Sequence, residues 1–231
     1  MPLTLYHGSR EGISGLIRPD RSRRYCDFGQ GFYMGVDIHQ PRTLICGKDA
    51  VSPTMYTVEF DLDGLAVERM PSGLDWALFV AYNRNRMEPY AAERFYARYR
   101  DIRRSADVIF GKIADDRIFK TVSRFFEGEI TAPCLVEALG ALNLGDQYCA
   151  ITPKACAAIR VLDVHPLSVS EVEIYRQRAV RQHELALQRT DEIIRKWRRN
   201  TGLFFDEILD RMAKDGRDAP SEEDAQGGIR Q

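Results

Sequence analysis

The sequence predicts an α+β domain over residues 1–165, followed by a helical arm over residues 166–215. In the first part, short apolar runs bounded by turn residues mix irregularly with helical patterns. No regular strand–helix–strand repeat occurs, which argues against a doubly wound parallel sheet. After Pro166 the chain changes to a charged pattern with helical spacing. Residues 216–231 are polar and contain glycine, so we predict a disordered tail there.

Periodicity and turn residues define the elements of the first half. Apolar runs with partial alternation predict strands, and aromatic or aliphatic residues at helical spacing predict helices. Asp63-Gly64 is typical of a turn, so the strand after it is expected to complete a hairpin. The predicted elements are strands at 3–7, 31–36, 55–62 and 65–70 and helices at 75–83 and 91–100.

The second half continues the same mixture. Asp115 or Asp116 can cap a helix that reaches residue 126, and Thr152-Pro153 can open another as cap and first residue. The other predicted elements are strands at 107–113, 147–151 and 159–164 and a helix at 133–139.

Ser168 or Ser170 can cap the long charged helix predicted over residues 172–199, and a short helix follows at 204–214. These helices can be packed on the main domain, bind a partner or form a dimer surface. The pattern alone leaves the three interpretations open.

Composition restricts the class of protein. The 231 residues contain 33 Lys+Arg and 34 Asp+Glu, and this net charge of −1 argues against coating of nucleic acid by bulk electrostatics. Neither a membrane-length apolar run nor a secretory signal is visible, so we expect a cytoplasmic protein without membrane contact. The five cysteines are widely spaced and lack a CxxC pair, which predicts reduced thiols and no metal site.

Three polar segments stand out as candidate functional positions. The first is His7-Gly8-Ser9, at the end of the first strand. The second, over residues 27–33, has two glycines one residue apart before an aromatic strand. The third, over residues 145–149, brings a polar group into an apolar strand.

Together these segments resemble ADP-ribosyltransferases of the diphtheria-toxin and poly(ADP-ribose) polymerase type. There a strand carrying His-Gly-Ser is followed by Phe-Gly-Lys-Gly-Ile-Tyr, and this chain has Phe-Gly-Gln-Gly-Phe-Tyr at residues 28–33. The chain is more closely similar to the bacterial family called domain of unknown function 3990. Members show Leu-Tyr-His-Gly-Ser, Asp-Phe-Gly-x-Gly-Phe-Tyr, Ala-Asp-Asp and Asp-Gln-Tyr-Cys, found here at 5–9, 27–33, 114–116 and 146–149.

The resemblance implies a split antiparallel β-sheet core with flanking helices, and NAD as the substrate. It implies that His7 hydrogen-bonds the ribose 2′-hydroxyl on the adenosine side. The Gly8 backbone would hold the nicotinamide carboxamide, and Tyr33 would stack on the nicotinamide ring.

The remaining ligand contacts implied by the resemblance are looser. Ser9 would lie near the adenosine ribose, and Gln40 would give a second contact to the carboxamide. Arg18 would reach the pyrophosphate or adenine. The same contact can come from one of the nearby arginines Arg21, Arg23 and Arg24.

The chain departs from the polymerases where they carry a catalytic glutamate, because Gln147 or its neighbour Asp146 stands there. Glutamine can hydrogen-bond a 2′-hydroxyl but cannot serve as a general base. Asp116, beside Asp115, can supply the missing carboxylate. Because neighbours on a strand face opposite sides, either Asp146 or Gln147 faces the pocket, and the sequence leaves this open.

The resemblance therefore implies a mono-ADP-ribosyltransferase-like enzyme that cleaves the nicotinamide–ribose bond of NAD. The acceptor is an unknown macromolecule, protein or nucleic acid. The enzyme is expected to be a toxin of a toxin–antitoxin or phage-defence pair, with an antitoxin as partner. The alternatives are an NAD glycohydrolase and a sensor module that binds NAD or ADP-ribose without transfer.

Overall fold

The computed structural model describes residues 1–46, 51–114, 116–141, 145–197 and 202–226. The described residues form an α+β fold around a seven-stranded sheet. Its strands are β1 Leu3–Ser9, β2 Phe32–Gly35, β3 Thr54–Phe60, β4 Val67–Met70, β5 Val108–Lys112, β6 Asp146–Ala150 and β7 Ile159–Pro166.

Helices connect and cover these strands. Thr152 caps one of them as predicted, because its Oγ1 accepts a hydrogen bond of 3.1 Å from the Ala155 N–H. Beside a short 3₁₀ turn at Pro19–Arg21, the helices are α1 His39–Ile45, α2 Leu74–Asn83, α3 Pro89–Ser105, α4 Asp116–Phe126, α5 Ala132–Ala141, α6 Pro153–Ala157, α7 Val169–Lys196, α8 Phe205–Asp215 and α9 Glu222–Gln226.

The strand order is β4-β5-β6-β2-β1-β3-β7, and the sheet is mostly antiparallel. The exception is β4, which pairs with β5 in parallel, with Val67 opposite Val108. The predicted hairpin between residues 55–62 and 65–70 is therefore wrong. The segment with α2 and α3 carries the chain back to lie beside β4, and the Ala66 N–H is held by the Asp107 carboxylate at 3.1 Å.

The sheet is nearly divided in its middle. Along its whole length β1 pairs with β3, whereas its described pairing with β2 consists of Tyr6 opposite Gly35. A block of β4-β5-β6-β2 thus meets a block of β1-β3-β7 at one register position. Past that position, toward Gly8 and Tyr33, no backbone pairing joins the two strands among the described residues. We call this unpaired stretch the β1–β2 gap.

Apolar residues cover both faces of the sheet. On one face, Phe28, Phe79 and Tyr99 belong to a large core between the sheet and α2–α5. On the other face, Phe60 and Tyr148 belong to a smaller core completed by α6. The two faces follow from the alternation of side chains along each strand.

The C-terminal helices pack on this domain. Ser168 caps α7 in a reciprocal capping box with Glu171, as one of the two predicted cap residues. From α8, Phe205, Ile208 and Met212 enter the core formed with α2–α5. In the segment predicted as a tail, the structure describes residues up to 226, including α9.

Within the described part of the chain, every helix is too short or too polar to cross a bilayer.

Candidate functional site

The candidate site starts from the loop at residues 27–31, which leads into β2. Gly29 has φ of +77°, a left-handed conformation that favours glycine. From α3, the Arg103 guanidinium donates to the carbonyls of Phe28 and, at 3.1 Å, Gln30. The loop is therefore fixed by a cation from a distant helix.

Asp27 anchors the start of this loop inside the protein. Its carboxylate is 5% exposed, and Arg84 from the end of α2 forms an ion pair with Oδ1, with Nε at 2.7 Å. The Ala114 N–H donates to Oδ2 at 2.8 Å. Burial raises the pKa of the Asp27 carboxyl, and the Arg84 charge opposes this shift.

Gln147, on β6, is the third partner of this carboxylate. Its Nε2 donates to Asp27 Oδ2 at 2.8 Å and to the Lys112 carbonyl at 3.3 Å. Gln147 is 6% exposed, and the described residues donate no hydrogen bond to its Oε1.

Tyr33 lies on the same face of the sheet as Gln147. It faces Cys149 across β2 and β6, two residues along from Gln147. Its hydroxyl donates to the Gly29 carbonyl at 2.6 Å and accepts from the Phe28 N–H at 2.9 Å. Burial raises the pKa of the Tyr33 phenol well above its ordinary value, so it stays protonated.

His7 links the two edges of the β1–β2 gap. Its Nδ1 lies 2.7 Å from the Tyr33 carbonyl, and its ring stacks on Phe32 with centroids 4.2 Å apart. Because a carbonyl can only accept, Nδ1 carries the proton. Burial lowers the pKa of His7 to about 4, so at neutral pH the ring is neutral and Nε2 is an acceptor. Among the described residues, Nε2 has no hydrogen-bond partner.

Gly8 and Gln40 lie on the Tyr33 face, beside the gap. Continuing the pairing of Tyr6 with Gly35 would place Gly8 opposite Tyr33. A Cβ on Gly8 would approach Ile45 Cγ2 to 2.8 Å, so the backbone there lies close to α1. The Gln40 amide covers Gly35 and Gly145, and its buried Oε1 has no hydrogen-bond partner among the described residues.

The other predicted site residues have local partners. The Ser9 hydroxyl donates to the Gly12 carbonyl at 3.0 Å, and Arg18 forms an exposed ion pair with Asp20 at 2.8 Å. Asp146 pairs with Lys112 at 2.9 Å on the face opposite Gln147. At the start of α4, the Asp116 side chain lies outside the described residues, as does all of Asp115.

The structure thus groups Gly8, Tyr33, Gln40 and Gln147 on one face beside the gap, and His7 spans it from the other face. This set presents hydrogen-bond acceptors and an aromatic ring. Sequence reasoning missed Asp27, which it treated only as part of a motif. It also missed Arg84, which forms the ion pair with Asp27. A buried aspartate in a glycine-containing loop needs a donor, but the sequence does not identify which one.

Comparison with known proteins gives one match. The family model described as "Protein of unknown function (DUF3990)" matches residues 3–161, which include every strand up to the middle of β7. No curated protein and no solved structure matches the chain.

Proposed function

We propose, from the premise that this chain belongs to the DUF3990 family of proteins of unknown function, that it binds NAD at the β1–β2 gap and cleaves its nicotinamide–ribose bond. The ADP-ribose is then transferred to a macromolecular acceptor, protein or nucleic acid. The observation that carries the proposal is the gap itself. The pairing of β1 with β2 stops before Gly8 and Tyr33, and His7 bridges the two strands there while its Nε2 has no hydrogen-bond partner among the described residues.

The residues around the gap suit the parts of NAD. The neutral His7 Nε2 can accept a hydrogen bond from a ribose hydroxyl. The Tyr33 ring offers an aromatic surface for nicotinamide, an interaction worth on the order of 1 kcal/mol beyond area burial. The single described pairing position between β1 and β2 is the feature that favours the proposal, because the sheet is split in the ADP-ribosyltransferases that the motifs resemble.

Gln147 limits the reaction that the site can support. Bond cleavage gives free nicotinamide and an oxocarbenium-like ribose, and an incoming hydroxyl or amine must then lose a proton. Gln147 can orient the ribose through its carbonyl oxygen, but its amide cannot take up this proton. A single transfer to an acceptor that is already nucleophilic, or slow transfer to water, therefore fits better than chain elongation.

The direct test is release of nicotinamide from NAD by the purified protein. We expect release from the wild type and a decrease of at least about fivefold in Tyr33→Ala, from loss of the stacking surface. His7→Ala should decrease release similarly because the hydrogen bond to the ribose is lost.

The exposed His165 and Tyr96 supply matched controls. His165→Ala and Tyr96→Ala should release nicotinamide at the wild-type rate. Release that is unchanged in both His7→Ala and Tyr33→Ala would contradict the assignment of the site.

A binding module that holds NAD or ADP-ribose without transfer is the second candidate function. It is favoured by the contact of Gln147 with Asp27, because the Asp27 carboxylate is engaged by three donors and is not available as a general base. Calorimetric titration separates the two functions. Binding of NAD and ADP-ribose without nicotinamide release selects the module.

The toxin role belongs to the first candidate function. We expect that expression in bacteria slows growth and that Tyr33→Ala relieves this effect. Equal growth with wild type and Tyr33→Ala would remove the reason to expect an antitoxin partner.

A further inference from the structure

We infer that Asp27 is a positioning residue for the proposed NAD site and that it acts through Gln147, by fixing which end of the glutamine amide faces the ligand. This inference rests on the proposed function. It assigns a role to a buried carboxylate that the proposed chemistry does not otherwise use.

The orientation of the Gln147 amide follows from its neighbours. Asp27 Oδ2 and the Lys112 carbonyl both accept hydrogen bonds, so the atom that faces them must be the amide nitrogen. Both amide protons are then occupied. Oε1 is left on the other side, as an acceptor without a donor among the described residues.

Asp27 is itself held on two sides. Arg84 occupies Oδ1, while the Ala114 N–H shares Oδ2 with Gln147. A carboxylate fixed by an ion pair and a backbone donor cannot rotate to follow the glutamine. The orientation is therefore imposed by Asp27 on Gln147.

A second amide oxygen strengthens the case for a ligand that donates hydrogen bonds. Gln40 Oε1 is buried with no hydrogen-bond partner in the described part of the chain, and it lies beside Gly35, the residue opposite Gln147 on β2. A buried acceptor without a donor is costly. A ribose hydroxyl can supply the missing proton to an amide oxygen at this end of the gap.

The same geometry explains why glutamine stands at this position. A glutamate at 147 would place its carboxylate against that of Asp27, and two like charges at hydrogen-bond distance are strongly unfavourable. Asp27 supplies the acceptor oxygen in this contact, so residue 147 must donate to it.

An NAD-binding cycle tests whether Asp27 acts through Gln147. In Asp27→Asn, Arg84 holds the remaining oxygen, so the new NH₂ faces the Gln147 nitrogen and the Ala114 N–H. The hydrogen bond that fixes the Gln147 amide is then lost, and its oxygen is no longer held toward the ligand. We expect about tenfold weaker NAD binding by calorimetry in Asp27→Asn and in Gln147→Met, from loss of one hydrogen bond.

The double variant Asp27→Asn/Gln147→Met decides the outcome. If Asp27 acts through Gln147, the double variant binds NAD as Gln147→Met does. A further tenfold loss in the double variant would overturn the inference, because Asp27 would then act through the fold. Asp107→Asn is the matched control, since it alters another multiply bonded carboxylate at the far end of β5 and should leave NAD binding unchanged.

A stability cycle tests the geometry without any ligand. Gln147→Glu should lower the melting temperature, and adding Asp27→Asn should recover part of the loss, because the asparagine NH₂ can donate to the new carboxylate while the Ala114 N–H loses its acceptor. Gln147→Glu with the wild-type melting temperature would overturn the inference. If the wild type fails to bind NAD, the proposed function fails, while this cycle still tests the contact between residues 27 and 147.

Discussion

His7 shows how one side chain combines a structural and a proposed functional role. Its Nδ1–H closes part of the β1–β2 gap by donating to the Tyr33 carbonyl, and Nε2 remains an acceptor. The folded protein holds the His7 pKa near 4, below the ordinary value of 6.5. Burial therefore ties the stability of the fold to pH.

Between pH 6.5 and about 4, His7 is protonated in the unfolded chain but neutral in the folded protein. Stability from this residue is therefore complete above pH 6.5 and is lost as pH falls toward 4, by about 1–3 kcal/mol. We predict that His7→Asn, whose NH₂ can replace Nδ1–H, flattens the pH dependence of urea unfolding over this range.

The control for this prediction is His165→Asn, on the exposed β7. It should retain the wild-type pH dependence. A His7→Asn profile parallel to the wild type would show that His7 does not carry the effect.

The sequence alone indicated some residues of the candidate site but not their contacts. His7, Gly8 and Tyr33 were found from short motifs, and the structure places them at one gap. Asp27 contacts Arg84 across 57 positions and Gln147 across 120 positions. No local pattern records such pairs. The choice between Asp146 and Gln147 likewise needed the register of β6.

At the scale of the elements, the close approach of β2 to β6 requires a glycine at position 31. A Cβ on Gly31 would overlap Cys149 Sγ and approach the Ala150 carbonyl to 2.9 Å. We predict that Gly31→Ala lowers the free energy of unfolding by about 2–3 kcal/mol in denaturant titrations, because the strands must move apart.

Two further variants check this explanation. Adding Cys149→Ala removes the sulfur and should recover part of the loss. Gly73→Ala should cost no more than about 1 kcal/mol, because a Cβ there meets no atom within 4 Å. Equal losses in Gly31→Ala and Gly73→Ala would argue against steric overlap as the cause.

Element positions were largely predictable because apolar periodicity and caps are local signals. Thr152 and Ser168 cap their helices as expected. The pairing of β4 was missed because Asp63-Gly64 favours a hairpin, whereas parallel pairing with β5 depends on α2 and α3 lying across the sheet. Local signals define a strand but not its distant partner.

For the whole molecule, α8 is part of the core. Phe205 is 2% exposed and packs edge-on against Phe125, with ring centroids 5.5 Å apart. We predict that Phe205→Ala lowers the free energy of unfolding by about 3–5 kcal/mol, with one cooperative transition in calorimetry.

The exposed Leu185 on α7 supplies the control, and Leu185→Ala should change stability by less than about 0.5 kcal/mol. An independent C-terminal arm would instead give two transitions, with Phe205→Ala shifting only one of them.

The α+β class was predictable because strands and helices mix without a repeat. The short pairing of β1 with β2 was not predictable, since the residues of one strand do not specify how many positions pair with its neighbour. The packing of α8 was one of three open interpretations, because its apolar face fits a core and a partner equally well.

The near division of the sheet has a thermodynamic consequence. A molecule bound across the β1–β2 gap would contact both blocks of strands, which are paired at one register position. The unfolded chain has no such binding site. Occupancy and melting temperature are then linked by mass action. Any compound that binds in the gap should therefore raise the melting temperature of the protein, so thermal unfolding can detect a ligand before its chemistry is known.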